Sequence, residues 1–316
     1  MSGLPLNTLL VGDALAQLRR LPSASVDCVI TSPPYFQLRN YQAEGQIGLE
    51  PEVDQWVERL RSVMTELARV LVPTGAVWLV LADSYARRPS HGATPKSLLF
   101  GPERVALKLL VDGWVIRNKV VWAKPNFMPT PALDRLACSY EVAYLLVRSR
   151  SYFFDLDAIR QPHRTTAPQA ARPAPTRPEP WAGPLAGINA GLRRARPAGQ
   201  PGHPNGRNPG DVWTVAVRGV RGHHATFPEA LVERPLLATC PAAVCLACGA
   251  PRYSRRPPCG CGAATRPGVV LDPFFGSGTV GVVAQRHSRD WLGIELNPTF
   301  AELARERLSR LDRAAA

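Results

Sequence analysis

Hydrophobic positions along the chain alternate between short apolar runs and longer stretches with helical spacing. The apolar, β-branched runs at 26–31 and 76–82 predict buried strands. Between them, apolar residues recur at helical spacing over 53–71, which predicts an amphipathic helix that ends at Pro73-Thr74-Gly75. Strands of this kind that alternate with amphipathic helices are typical of a largely parallel sheet with helices on both faces.

The same alternation continues on either side of these elements. Further strands are predicted over 7–11, 114–122, 141–147, 269–271 and 291–296, and further helices over 14–21, 102–111, 228–238, 278–286 and 298–311. Residues 152–154 are expected to pair back onto the strand 141–147 as an antiparallel hairpin at the sheet edge. We therefore predict an α/β fold with a doubly wound, mostly parallel sheet, an antiparallel edge hairpin and inserted loops.

The periodicity disappears between about residues 160 and 222, where proline, arginine, glycine and alanine dominate. The formal net charge of the chain is +13, and this stretch carries ten arginines against two acidic residues. Such clustering predicts a polyanionic partner, because arginine neutralises phosphate groups. A linker without structure is the alternative, although Trp181 and Trp213 favour some order.

Composition limits the class of protein in one further respect. No run of about 18 apolar residues occurs, so a membrane span is not expected. The first residues lack the basic and apolar regions of a signal peptide, which predicts a cytoplasmic location.

Five of the seven cysteines are crowded between residues 240 and 261. In a cytoplasmic protein, crowding of this kind favours a metal over disulfides. The spacing Cys245-x-x-Cys248 is typical of a zinc knuckle, and Cys259-x-Cys261 is a less common second pair. We predict that these four cysteines bind a structural zinc ion. Cys240 is a spare candidate ligand, and unliganded surface thiols are the alternative.

Residues 269–279 (Val-Val-Leu-Asp-Pro-Phe-Phe-Gly-Ser-Gly-Thr) are typical of a strand, a glycine-rich turn and a helix. The glycines allow the backbone to approach a ligand, and the helix start offers free N–H groups. The next predicted strand brings Glu295, 23 residues after Asp272, to a position that suits hydrogen bonding to ribose hydroxyls. A nucleoside cofactor is therefore predicted, and the absence of a phosphate-loop lysine argues against ATP or GTP.

The loop Thr31-Ser32-Pro33-Pro34-Tyr35 follows a predicted strand. An exocyclic amine on a nucleobase is a poor nucleophile, because its lone pair is delocalised into the ring. Two acceptors facing its N–H bonds would free that lone pair, and the Ser32 hydroxyl and the Pro33 carbonyl are the candidate acceptors. The two prolines would fix their positions in advance, and Tyr35 could stack on a base extruded from the duplex.

Together, these segments and Gly293-Ile294-Glu295-Leu296-Asn297-Pro298 closely resemble the motifs of the DNA amino-methyltransferases with permuted motif order, the beta group. The order is reversed relative to unpermuted enzymes, since the catalytic motif precedes the cofactor motif. The resemblance covers about residues 1–155 and 223–312. It implies a Rossmann-like, circularly permuted fold and a methyltransferase activity that depends on S-adenosylmethionine.

The resemblance also implies roles for individual residues. Catalysis is expected of Ser32, Pro33, Pro34 and Tyr35. Cofactor binding is expected of Asp13, Thr31, His224, Phe227, Asp272, Pro273, Phe274, Gly276, Ser277, Gly278, Thr279, Glu295 and Asn297. Within the arginine-rich stretch, DNA contacts are expected of Arg193, Arg194, Arg196, Arg207 and Trp213.

The predicted reaction is methyl transfer from S-adenosylmethionine to N4 of cytosine in duplex DNA, with the target base flipped out. Members of the family that methylate cytosine N4 usually carry serine before Pro-Pro, so Ser32 favours cytosine. The same reaction on adenine N6 is the alternative, and an RNA or protein amide methyltransferase is a more remote one.

The expected partners are double-stranded DNA and a cognate restriction endonuclease, and the protein is expected to act as a monomer or a homodimer. The predicted division is a catalytic half (1–159), a target-recognition insert (160–222) and a cofactor-binding half (223–316) with a cysteine-rich insert at 240–262.

Overall fold

The computed structural model describes residues 3–163, 203–217, 219 and 227–315. Contacts divide the chain into one unit of Met1–Asp155 with Asp211–Ala316 and a second of Leu156–Gly210. The described part of the second unit contains a 3₁₀ turn, Leu156–Ala158, and a bridge between Gln161 and Arg207. The assignment of functions to three segments of the chain stays a prediction.

The first unit is built on one large sheet. Its strands are β1 (Thr8–Val11), β2 (Val26–Thr31), β3 (Leu71–Leu81), β4 (Val115–Ala123), β5 (Tyr140–Val147), β6 (Val212–Thr214), β9 (Val269–Asp272) and β10 (Asp290–Glu295). Strands β7 (Val244–Cys245) and β8 (Thr265–Arg266) form a separate two-stranded ladder. In the part of the chain that the structure describes, the α-helices are α1 (Ala14–Arg20), α2 (Val53–Val70), α3 (Gly101–Val111), α4 (Glu229–Thr239), α5 (Thr279–Arg286) and α6 (Pro298–Ala315). None of these described helices is both long and apolar enough to cross a membrane.

The strands lie in the order β1-β10-β9-β2-β3-β5-β4-β6, and β5 runs antiparallel to both of its neighbours. This confirms the mostly parallel α/β sheet. The prediction of an edge hairpin is wrong, because β5 lies inside the sheet and residues 152–154 form no strand. Instead, the Phe153 N–H donates to the Thr74 carbonyl at 2.8 Å, so this segment crosses towards β3.

The helices cover both faces of the sheet, as a doubly wound fold requires. Buried residues of α1, α2 and α3 form one core cluster, and those of α4, α5 and α6 form the other. The completely buried strand β2 alternates between the clusters: Val29 faces the first, while Cys28 and Ile30 face the second. The apolar stripe of α2, which includes Val53, Trp56 and Leu60, packs into the first cluster.

Strand β3 begins earlier than the sequence indicates. Helix α2 ends at Val70, ahead of Pro73-Thr74-Gly75, and the backbone enters the sheet at Leu71 and continues as strand β3 through these residues. The pairing of β2 with β3 shifts register between Val26 and Cys28, which accommodates the Pro-Thr-Gly segment.

The carboxyl ends of β1, β10, β9 and β2 meet at one edge of the sheet. Val11 pairs with Glu295, and Gly293 pairs with Asp272. Because β9 lies between β10 and β2, the C-terminal part of the chain completes the sheet beside the N-terminal part. Ligands of open α/β sheets bind at this edge, and the motifs of interest follow these strand ends.

Candidate active site

A cleft of about 830 Å³, partly open to solvent, lies at this edge of the sheet. It brings together residues from both ends of the chain. Eleven of the residues singled out in the sequence line it: Asp13, Ser32, Pro34, Phe227, Pro273, Phe274, Gly276, Ser277, Thr279, Glu295 and Asn297. The catalytic loop and the glycine turn thus form walls of a single cleft.

The carboxylate of Glu295 holds the glycine turn in place. Its Oε2 accepts from the Gly276 N–H at 2.7 Å, and its Oε1 accepts from the Asn297 N–H at 2.8 Å. Gly276 adopts φ +52°, in the left-handed region that favours glycine. Burial raises the pKa of Glu295, while the backbone donors oppose that rise. The carboxylate is therefore fixed at the floor of the cleft, with its orientation set by the backbone.

Asp272 lies behind the lining and joins the two motifs. Its Oδ1 accepts from the Thr31 hydroxyl at 2.7 Å and from the Phe274 N–H at 3.0 Å. The side chain is 1% exposed, and burial raises its pKa to about 7. Thr31 and Asp272 were expected to bind cofactor; here they connect the end of β2 to the start of the glycine turn.

The buried Asp272 carboxyl gives the protein a testable pH dependence. Since its folded-state pKa of about 7 lies above the usual value, the protonated form stabilises the fold at low pH, and this contribution is lost as the pH rises through 7. We expect the part of the unfolding free energy that depends on Asp272 to fall by about 2–3 kcal/mol from about pH 5 to about pH 8.

The substitution Asp272→Asn keeps an acceptor for Thr31 and Phe274 but cannot ionise. Urea unfolding of both proteins without cofactor, at the two pH values, measures the difference. Parallel pH dependences for the wild type and Asp272→Asn would contradict the assignment.

Two further expected cofactor residues have a visible structural role. Asp13 caps α1, since its Oδ1 accepts from the Ala16 N–H at 2.8 Å. Gly278 precedes α5 with φ +79°, and a Cβ there would stand 3.1 Å from Ala304 Cβ. Gly278 therefore allows α5 to pack against α6, and it does not line the cleft. His224 lies outside the described residues.

The catalytic loop is fixed by contacts beyond its own prolines. The Trp56 indole N–H donates to the Pro34 carbonyl at 2.9 Å, so that carbonyl is already occupied. Among the residues that the structure describes, none donates to the Pro33 carbonyl. Ser32 and Pro34 line the cleft, whereas Pro33 is buried beside them.

Tyr35 is held by a chain of polar contacts that the sequence did not indicate. Its hydroxyl donates to Glu141 Oε2 at 2.6 Å and lies 3.0 Å from Ser32 Oγ. Glu141 in turn forms an ion pair with Lys124, and both side chains are largely buried. The pKa of Tyr35 is raised well above its usual value of 10 by burial and by the charge of Glu141.

The loop after Tyr35 supplies lining residues that sequence reasoning missed. Tyr41, Gln46 and Ile47 line the cleft, together with Phe300 from α6. The Asn297 side chain donates to the Tyr41 carbonyl at 3.0 Å, and the rings of Tyr41 and Phe300 meet edge to face. The sequence of this loop has no periodicity that would identify its residues as cleft lining. The one available signal is its position directly after the Pro-Pro-Tyr motif.

The residues expected to contact DNA are dispersed. Arg193, Arg194 and Arg196 lie outside the described residues. Arg207, in the second unit, pairs with Gln161 through backbone and side chain.

Trp213 is 7% exposed and packs against Trp78, with the Arg234 guanidinium over its ring. The prediction that Trp213 contacts DNA is wrong, because strand β6 turns this indole into the core.

The four cysteines form a compact cluster. The sulfur atoms of Cys245, Cys248, Cys259 and Cys261 all lie within 4.8 Å of one another. A tetrahedral zinc site with Zn–S bonds of about 2.3 Å needs sulfurs about 3.8 Å apart. Backbone N–H groups of Cys248 and Ala247 lower the pKa of Cys245 to about 7, whereas the hydrogen bonds that the Cys261 thiol makes with Cys248 and Cys259 raise the pKa of Cys261 to about 12. Four thiols at this spacing are the type of ligand set that zinc prefers in proteins.

Comparisons with known proteins agree with this geometry. Residues 26–306 match the N6/N4 methyltransferase family, described as DNA methylase. The type II methyltransferase M.Cfr9I of Citrobacter freundii is 35% identical over 96% of this chain and 88% of its own length.

Two solved structures show the same fold. The PvuII DNA methyltransferase (cytosine-N4-specific) has a TM-score of 0.61 at 17% identity, over 96% of this chain and 86% of that one. The DNA modification methylase TTHA0409 of Thermus thermophilus, in complex with S-adenosyl-L-methionine, has a TM-score of 0.54 at 24% identity, over 96% and 93%.

Proposed function

The chain belongs to the N6/N4 DNA methylase family, and from this premise we propose that it methylates N4 of cytosine in duplex DNA. Methyl transfer to an exocyclic amine of DNA is the activity of the family. S-adenosylmethionine as donor, cytosine as target and base flipping as the route are the finer parts of the proposal.

One observation carries the proposal. Ser32, from the N-terminal catalytic loop, and Gly276, from the C-terminal glycine turn, line the same cleft. A cofactor on the glycine turn would therefore sit beside the loop that offers acceptors to an amine. The glycine turn and the catalytic loop come together although they are far apart in the chain, because they follow strands β9 and β2, which are adjacent in the sheet.

The lining fits S-adenosylmethionine. Phe274, Ile47 and Phe300 offer apolar contacts for an adenine ring, and Glu295 offers a fixed carboxylate for ribose hydroxyls. When bound, S-adenosylmethionine supplies an electrophilic methyl group on a sulfonium. The cleft supplies the remaining conditions: an acceptor at Ser32, a stiff backbone at the two prolines, and partial exclusion of water.

The chain's own residues then activate the amine. The Ser32 hydroxyl and the Pro33 carbonyl accept hydrogen bonds from its two N–H groups. These hydrogen bonds shift the nitrogen towards tetrahedral geometry and release its lone pair. Tyr35 offers a ring against which the flipped base can stack. Fixing these groups before the base arrives removes the cost of organising them during the reaction.

Product analysis separates cytosine from adenine. Serine at position 32 favours N4-methylcytosine, and adenine N6 remains the second candidate because the family includes both chemistries. We expect DNA from cells that express the protein to contain N4-methylcytosine. The nucleosides are separated by chromatography and identified by mass spectrometry. The appearance of N6-methyladenine without N4-methylcytosine would transfer the proposal to adenine, and an absence of both would refute it.

Duplex DNA is the proposed substrate and a cognate restriction endonuclease the proposed functional partner. The type II methyltransferase M.Cfr9I matches nearly the whole chain, and a modification enzyme of that type protects sites from cleavage. Arg207 and the other arginines between residues 160 and 222 supply positive charge for contacts with DNA phosphates.

We also propose that the four-cysteine cluster holds a structural zinc ion. The cluster lies in the segment 244–266, which begins and ends with the strands of the β7–β8 ladder and is attached to the large unit at two places. The Arg266 guanidinium binds both oxygens of Asp27, and Ser254 donates twice to the Asp155 carboxylate. A metal that orders this ladder would therefore stabilise its attachment to the large unit.

The zinc proposal predicts a metal content and a stability effect. We expect one zinc per chain by elemental analysis, and its loss in Cys248→Ser with a fall in melting temperature of about 4 °C. Cys138→Ser is the matched control, since Cys138 is exposed and lies outside the cluster. Protein that is purified without zinc and melts at the same temperature with and without added zinc would refute the site.

A further inference from the structure

We propose that Glu141, acting through the Tyr35 hydroxyl, fixes the Ser32 hydroxyl as a pure acceptor towards the target amine and receives the proton that the amine loses. This inference rests on the proposed methyl transfer and adds to it a terminal proton acceptor on strand β5. It applies equally to cytosine N4 and adenine N6, because both amines lose one proton.

The direction of the hydrogens follows from the contacts. Tyr35 Oη lies 2.6 Å from Glu141 Oε2, and an ionised carboxylate can only accept. The single Tyr35 hydrogen is therefore committed to Glu141. The 3.0 Å contact between Ser32 Oγ and Tyr35 Oη must then use the hydrogen of Ser32. The lone pairs of Ser32 Oγ are left for the cleft, which is the state that an amine N–H requires.

Lys124 pairs with the carboxylate at the end of this chain of contacts. Its ammonium group pairs with Glu141, and the two side chains are 18% and 11% exposed. Lys124 is itself anchored, since its N–H donates to the Ser139 carbonyl and its ammonium lies 4.8 Å from the centre of the Trp122 ring. Tyr41 is a further titratable group near this carboxylate, and it interacts electrostatically with both Glu141 and Glu295.

The same contacts form a route for the proton. As the amine lone pair forms the new N–C bond, the methyl–sulfur bond breaks and its electron pair remains on sulfur. The nitrogen then carries one proton too many, which passes to Ser32 Oγ. The hydrogen of Ser32 passes to Tyr35 Oη, and the hydrogen of Tyr35 passes to Glu141. Both hydroxyls are restored, and the carboxylate ends as a carboxylic acid.

Tyr35 thus has a role that stacking alone does not require. A phenyl ring stacks on a base as well as a phenol does, so Tyr35→Phe separates the two roles. Glu141→Gln keeps a side chain of the same shape but cannot take up the proton. Two matched controls are available outside the site. Tyr140→Phe removes the hydroxyl of the exposed residue next to Glu141 in the chain. Glu103→Gln removes a carboxylate of helix α3 that pairs with Lys119 of strand β4.

The test is single-turnover methyl transfer from labelled S-adenosylmethionine to unmethylated phage DNA, at saturating protein. We expect Tyr35→Phe and Glu141→Gln each to lower the rate by about 100-fold, while cofactor affinity and DNA affinity change little. The wild type should also react more slowly in D₂O, and both variants should lose that difference. The two control variants should behave as the wild type.

Several outcomes would overturn the inference. Tyr35→Phe with a wild-type rate would leave stacking as the sole role of that ring. Glu141→Gln with a wild-type rate would remove the proton acceptor. A D₂O effect that persists in both variants would show that Glu141 only positions Tyr35. These outcomes are distinct from failure of the proposed function, which would appear as a wild-type protein that forms no methylated amine in DNA.

Discussion

Ser32→Ala is expected to lower the rate of methyl transfer by about 1,000-fold while leaving the affinity for S-adenosylmethionine within about twofold. In the proposed mechanism Ser32 Oγ is the acceptor that the cleft offers to the amine, and it lies 3.0 Å from the Tyr35 hydroxyl. Alanine removes this acceptor without adding bulk. The Pro33 carbonyl alone then faces the amine, and the lone pair of the nitrogen stays delocalised in the ring.

Single-turnover incorporation of labelled methyl groups into unmethylated DNA measures this effect, and calorimetry measures cofactor affinity. Ser62→Ala is a matched control, because Ser62 lies on the exposed side of α2 and its hydroxyl donates to the Glu58 carbonyl of its own helix. Methylation by Ser32→Ala at a rate close to that of the wild type would remove the hydroxyl from the mechanism. Weaker cofactor binding with an unchanged transfer rate would assign Ser32 to the cofactor instead.

Glu295→Ala is expected to weaken S-adenosylmethionine binding by a factor on the order of 100, or about 3 kcal/mol. Two effects combine. The proposed acceptor for the ribose hydroxyls disappears, and the N–H groups of Gly276 and Asn297 lose the carboxylate oxygens that they now contact at 2.7 and 2.8 Å. Because Gly276 holds a left-handed conformation, loss of its partner loosens the turn on which the cofactor would lie.

Calorimetric titration of the purified variants with S-adenosylmethionine is the measurement. Glu302→Ala serves as control, since Glu302 is exposed on α6 and pairs with Arg305 on the same helix. Glu295→Gln should show an intermediate loss, because its amide retains one acceptor oxygen. A Glu295→Ala protein that binds cofactor as tightly as the wild type would place the ribose elsewhere in the cleft.

The effects of these two substitutions should be separable. In the proposed mechanism Ser32 acts on the amine and Glu295 on the cofactor, although both line one cleft. At saturating cofactor, Glu295→Ala should recover most of the wild-type rate, whereas Ser32→Ala should not. This difference tests the division of labour between the two halves of the cleft directly.

The fold and most of the site could be predicted because their determinants are local. Strand β2 and helix α2 follow from hydrophobic spacing, and their observed ranges agree with the prediction to within a residue. The glycine turn and the Pro-Pro loop restrict their own backbones, so their sequences indicate their shapes.

The failures of prediction concern burial and long-range contacts. Trp213 stands in an arginine-rich stretch, and that context suggested an exposed ring; pairing of β6 with β4 turns it into the core. The edge hairpin failed because β5 pairs with β4, the strand before it in the chain, on one side and with β3 on the other, so it has no free edge for residues 152–154. Nothing in the local sequence of a strand specifies which neighbours it will have.

The amino-acid sequence by itself determined the alternation of elements, the glycine turn with its acidic partner, the proline-stiffened loop and the crowding of four cysteines. These depend on backbone restriction and spacing, which act over a few residues. The tertiary structure alone decided that Glu141 and Lys124 stand behind Tyr35, 106 positions away from Glu141 in the chain. A carboxylate on a strand has no local signature, because its role depends on which group the fold brings within hydrogen-bonding distance.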